Sequence, residues 1–225
     1  MDLPTGNEQF FRMSVNSFDT DTVLKNAARQ REQRNFDDML IIDVDSHHYE
    51  SESMREIVKY MEDPVLKQLA QSSTQVSQRG SMFALGRVGY QDVGGRVTRY
   101  PLRKLEETPK DGVHRDVHLS HKWMDAVGVD YTTMFPTPML GLAMHPQPEV
   151  EVNLARAYNT WLTEEVLTGS SRIKSMLYLP FNDHNAAYKM VQDFGDKPGV
   201  IGFMITSVRH KAVHDNDYMK TYALI

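Results

Sequence analysis

The sequence predicts an α/β fold: about the first half of a (β/α)8 TIM barrel, carried behind a polar N-terminal extension. Two observations predict it. Four short apolar runs, each closed by Pro or by polar residues, alternate with stretches whose apolar residues recur at helical spacing. That alternation marks βαβ units and a parallel sheet. The chain also ends inside its last helical pattern, with four strands where a closed barrel has eight.

Residues 1–38 are polar and charged, with scattered apolar positions, and read as a solvent-exposed leader, partly helical around Thr22–Arg34. Residues 39–225 form the barrel part. Met39–Val44 (MLIIDV) is rich in β-branched residues, as in a strand buried on both faces. Ser53–Gln71 places Met54, Ile57, Val58 and Met61 at helical spacing. Residues 72–115 form a long Gly/Ser/Arg-rich insertion, a length that in a compact domain is usually functional or mobile. Ser120–Val127 is a short helix. Val129–Phe135 is the second strand and stops at Pro136-Thr137-Pro138. Glu149–Leu167 is a helix, Ser175–Leu179 a strand stopped by Pro180, Asn185–Phe194 a helix and Gly199–Ile205 the fourth strand. Asn216–Ile225 begins as a helix and finishes on Ala-Leu-Ile with no Gly, cation or Pro to close it. The expectation is an N-terminal portion of a longer β/α protein. The alternative is a four-stranded open domain whose last helix frays.

Composition narrows the function classes. The 225 residues hold 25 Lys+Arg and 30 Asp+Glu, so the formal charge is −5, with no basic run to attract nucleic acid. Cys is absent, which excludes disulfides, thiolate catalysis and Cys-based zinc sites and suits a reducing cytoplasm. No segment approaches the ~18 apolar residues of a membrane span, so no membrane partner is expected.

Chemistry concentrates after the first apolar run, in Asp45-Ser46-His47-His48-Tyr49-Glu50. Residues i and i+2 of a strand share a side, so the Asp45 carboxylate and the His47 imidazole can converge on one ion. The strand end would place them at a barrel mouth. An oxygen and a nitrogen donor suit Zn or Mn. The plainer alternative is a capping Asp45 and a surface His47. His48 points the other way and reads as a packing or hydrogen-bonding residue. Glu50 is a candidate outer-shell or substrate contact. Thr137, His145 and His184 are candidate substrate contacts at the ends of later strands, although Asn182 or Asp183 could equally cap a helix there. His114, His118 and His121 share a helix face, yet they follow Gly112-Val113 and read as exposed surface. Arg96, Arg99 and Arg103 could neutralise a substrate carboxylate, or lie loose on the surface.

Ile41–Glu50 (IIDVDSHHYE) resembles the first-strand motif of the amidohydrolase-related superfamily, in the branch that includes aminocarboxymuconate-semialdehyde decarboxylase and γ-resorcylate decarboxylase. Met124–Pro138 (MDAVGVDYTTMFPTP), Leu154–Trp161 (LARAYNTW), Leu177–His184 (LYLPFNDH) and Gly199–Ile205 (GVIGFMI) resemble later blocks of that branch, in order. The resemblance spans about 39–225. It implies a (β/α)8 barrel with one divalent metal ion, Zn or Mn, at the strand C-termini. Its first-strand ligands are His-x-His in many members and Glu-x-His or Asp-x-His in others, and Asp45 and His47 match the latter form. The resemblance further implies a His on a middle strand, a catalytic His and an Asp on the last strand. His210 and His214 lie in a βα loop and match none of these. Those residues are expected beyond Ile225, so residues 1–225 alone should bind metal weakly or not at all. The implied activity is hydrolysis of a small organic, carboxylate-bearing substrate, with non-oxidative decarboxylation as the alternative and a homo-oligomer as the full-length assembly. Rival readings of another class are an inactive truncated fragment and a metal-free α/β binding protein.

Overall fold

The computed structural model describes residues 20–48, 50–76, 107–207 and 209–225. Four strands form one parallel sheet in the order β1 (Ile42–His48), β2 (Tyr131–Pro136), β3 (Ile173–Tyr178) and β4 (Val200–Met204). Consecutive strands are neighbours, so every connection is a crossover that carries helix. Among the described residues no helix is long and apolar enough to cross a membrane.

The two faces of the sheet differ. Paired residues of parallel neighbours share a face. Thr132 and Met134 of β2, with Ile173, Ser175 and Leu177 of β3, are buried. They join a core with Leu154, Tyr158 and Trp161 of α5 (Pro148–Trp161) and Met190, Val191 and Phe194 of α6 (His184–Phe194). The opposite face exposes Ile42, Tyr131 and Met176. The reading of the first run as doubly buried is therefore wrong. Ile42 is 52% and Val44 71% exposed, because among the described residues β1 is an edge strand covered on one face only. It also starts later than the sequence suggests and runs on through His48, so Asp45 and His47 lie within it. Two residues of β1, Val44 and Asp45, stand opposite Thr133 alone, which makes a β-bulge.

Several helices differ from expectation. The stretch from Ser53 to Gln71 is broken into α2 (Met54–Ile57), a 3₁₀ turn and α3 (Pro64–Val76). Pro64 forces the break: its ring disfavours helical backbone at Asp63 and suits the first position of a new helix. Asp63 then caps α3 by accepting from Val65 N and Leu66 N at 2.9 Å each. Part of the predicted insertion is helical, since α3 runs to Val76 and α4 (Arg115–Val127) begins at Arg115, earlier than expected. Residues 77–106, with Arg96, Arg99 and Arg103, lie outside the described residues, as do residues 1–19. The helix of the leader, α1 (Thr20–Gln33), is docked rather than solvent-exposed. Val23, Leu24, Ala27, Ala28 and Arg31 are its half-buried stripe, and Lys122 of α4 holds Asp21 at 2.7 Å. Helix α5 continues through a π turn over Leu162–Val166 and ends in a 3₁₀ turn at Gly169. The last predicted helix is a 3₁₀ turn capped by Asp215, followed by α7 (Met219–Leu224).

Candidate functional site

The bulge in β1 turns both Asp45 and His47 to the uncovered face, where His47 lies beside Phe135 with ring centroids 5.9 Å apart. Asp45 Oδ1 and His47 Nε2 are 3.1 Å apart, and their side chains are 80% and 37% exposed. The other ring nitrogen, Nδ1, lies 3.0 Å from the Pro136 carbonyl oxygen and 3.4 Å from Thr137 Oγ1. A carbonyl only accepts, so Nδ1 carries the proton and donates. In the neutral ring Nε2 then bears a lone pair, and that lone pair faces a carboxylate oxygen. Two acceptors at this distance are reconciled by a proton or a cation between them. A backbone carbonyl fixing the far nitrogen is also the usual support of a metal-binding imidazole.

Glu50 lies three residues on, but the chain has left the strand for a 3₁₀ turn, and Glu50 is fully buried. Its two carboxyl oxygens accept from Thr137 N at 2.9 Å and Met139 N at 2.6 Å. Thr137 is itself 3% exposed and closes β2. His145 folds onto its own loop, where its Nδ1 accepts from Gln147 N at 3.1 Å. His184 is the first residue of α6, 3.8 Å from Asp217, while Asp183 caps the helix by accepting from Asn185 N and Ala186 N. The structure thus brings Asp45, His47 and Thr137 together, with Glu50 beneath them, and leaves His145 and His184 with local partners. Among the described residues no group of three or more His, Cys, Asp or Glu could hold a metal ion.

The neighbouring His48 is buried in a polar nest. Its Nδ1 donates to Asp116 at 3.2 Å, its Nε2 accepts from the Tyr158 hydroxyl at 2.8 Å, and its ring stacks on Trp161. Burial holds that tyrosine hydroxyl well above its ordinary pKa. The three histidines of the His114 run are not loose surface. His114 caps α4 through Nδ1, which accepts from Asp116 N, and its Nε2 donates to Glu56 at 2.9 Å. That hydrogen bond holds Glu56 below the usual carboxylate range. His118 pairs with Asp111 and His121 with Ser170, so their partners diverge and no metal cluster forms from them.

A second buried carboxyl went unread in the sequence. Glu151, in the first turn of α5, accepts from the Tyr178 hydroxyl at 3.1 Å and from Asn182 Nδ2 at 2.8 Å. Asn182 also donates to Ala143 O and accepts from His210 N. This ties the loops after β2, β3 and β4 together. Burial raises the Glu151 pKa against those hydrogen bonds. An acidic residue in a first helical turn resembles ordinary dipole compensation, so nothing in its spacing marks it.

A cavity of about 230 Å3 lies at the other end of the strands, lined by Arg31, Asp37, Asp125, Gly128, Asp130 and Arg172 among others. No family model matches the chain, and no curated protein matches it.

Proposed function

We propose that this chain contributes part of a (β/α)8 barrel enzyme of the amidohydrolase-related kind, one that hydrolyses a small organic, carboxylate-bearing substrate with a divalent metal ion, Zn or Mn. The observation that carries the reading is the facing pair, Asp45 Oδ1 and His47 Nε2 at 3.1 Å. Both are reachable from solvent, and the far side of the imidazole is pinned by Pro136 O. A hard oxygen and an imidazole fit either ion. They are two donors, and a catalytic zinc takes three from protein, so the whole protein must supply more.

Asp45 and His47 would hold the ion, which when bound acts as a Lewis acid and lowers the pKa of a water ligand. The chain's own residues do the rest. Pro136 O keeps the proton on Nδ1 and leaves Nε2 free to ligate. Phe135 flanks the ring and limits its tilt. Asp45 contributes negative charge that favours a cation over a neutral occupant.

Decarboxylation is the second reading, and the Phe135-Pro136-Thr137 block that resembles the decarboxylase branch favours it. One experiment separates the two. The full-length protein, loaded with zinc or manganese, is incubated in ¹⁸O-water with a carboxylate-bearing lactone or amide and with a phenolic carboxylic acid. Hydrolysis places the label in product. Decarboxylation releases CO₂ and leaves product unlabelled. No metal by elemental analysis and no turnover of either substrate would refute the proposal.

A further inference from the structure

We propose that Glu50 is a positioning residue: its buried carboxyl clamps the loop after β2, so that the Pro136 carbonyl holds His47 as the Nδ1–H tautomer with Nε2 turned toward Asp45. The consequence for metal binding rests on the function proposed above, but the tautomer does not.

Three contacts link Glu50 to His47. Pro136 O is the acceptor that decides which nitrogen of His47 bears the proton, and it lies at the last residue of β2. A strand terminus followed by Thr137-Pro138 has lost its ladder partner, and Pro138 has no N–H with which to rebuild one. The next two N–H groups of that loop, Thr137 and Met139, both end on Glu50, at 2.9 and 2.6 Å. One buried side chain therefore satisfies the loop on both sides of Pro138. A buried N–H left without its acceptor is costly, so the loop is held while the carboxyl is in place. The bulge sets where the ring points, and the clamp sets which nitrogen of that ring is available.

Glu50→Gln is the mildest test. Its amide oxygen can replace one acceptor, but its NH₂ meets the second N–H donor to donor. The full-length protein, ¹⁵N-labelled at histidine and stripped of metal by chelation, is examined by long-range ¹H–¹⁵N correlation at about pH 8.5, two units above an ordinary imidazole. The wild type should show His47 as the Nδ1–H form. Glu50→Gln, folded by circular dichroism, should show a mixture of tautomers and bind zinc about 10–100-fold more weakly, whereas His47→Ala binds none at that site. An Nε2–H form in the wild type, or an unchanged tautomer in folded Glu50→Gln, overturns the inference. A tautomer that shifts while neither protein binds zinc upholds the clamp and defeats the metal reading. Should the variant not fold, amide exchange in the wild type decides: Thr137 and Met139 N–H must be protected, and rapid exchange at both overturns the clamp.

Discussion

The two ends of the sheet use their charged groups in opposite ways. Before β2 and β3, Arg172 donates to Asp130 O at 3.0 Å, Val129 O at 2.8 Å and Asp125 Oδ1 at 2.7 Å. Arg31 there reaches Asp37 and the Asp125 carbonyl, and Asp130 accepts from Ile41 N. Donors and acceptors match, so a concave site of about 230 Å3 is chemically spent. At the far end a carboxylate oxygen and an imidazole nitrogen face each other at 3.1 Å. Shape alone would select the end before β2 and β3. The balance of donors against acceptors selects the other, and parallel α/β sheets place their chemistry at the strand C-termini.

The contrast can be broken most sharply at Asp45 and His47. Asp45→Asn and His47→Ala in the full-length protein should each lower activity and zinc affinity by more than about 100-fold, beyond what loss of an outer partner costs. Stability should stay within about 0.5 kcal/mol for Asp45→Asn, whose side chain is 80% exposed. Steady-state kinetics and denaturant melts measure the two effects. Arg172→Ala tests the opposite end. It removes the donor from two part-buried carbonyls and should destabilise by about 1–2 kcal/mol, with kcat/KM unchanged. A large loss of activity in a folded Arg172→Ala would move the functional end to the cavity.

Gly128→Ala should have a smaller effect on that same end. Gly128 terminates α4 at φ +80°, and a Cβ there would lie 3.1 Å from Arg31 Cδ. The backbone penalty of about 1 kcal/mol lowers Tm by roughly 2–4 °C. The smallest effect concerns Glu151. Burial raises its folded-state pKa, so its contribution to stability is full below the ordinary carboxylate range and fades as pH rises through the raised value. Glu151→Gln should remove that fraction of the slope just above the ordinary carboxylate range, as urea melts across the range will register.

All four strands were legible in the sequence because aliphatic runs stopped by Pro136, Pro180 or polar residues admit few other readings. The Asp45–His47 pair was legible because strand periodicity put both on one side. What was hidden depended on neighbours rather than on spacing. Ile42 and Val44 read as core, yet an edge strand with one covered face leaves them in water. Glu50 read as a companion of His47, but a 3₁₀ turn rotates it inward beneath Thr137. His114 read as surface because a helix cap made by an imidazole has no compositional signature. Val23, Leu24 and Ala27 were too sparse to announce that α1 docks on α4.

The doubled step at Val44–Asp45 works as a parity change along β1. Ile42 pairs with Tyr131 and His47 with Phe135, so an even-numbered residue faces outward before the step and an odd-numbered one after it. An uninterrupted ladder from Ile42 would send His48 outward and bury His47 against Tyr158 and Trp161. Of two adjacent, chemically identical side chains, one meets solvent and the other becomes part of the interior, and the choice is made by a single surplus peptide unit two residues upstream.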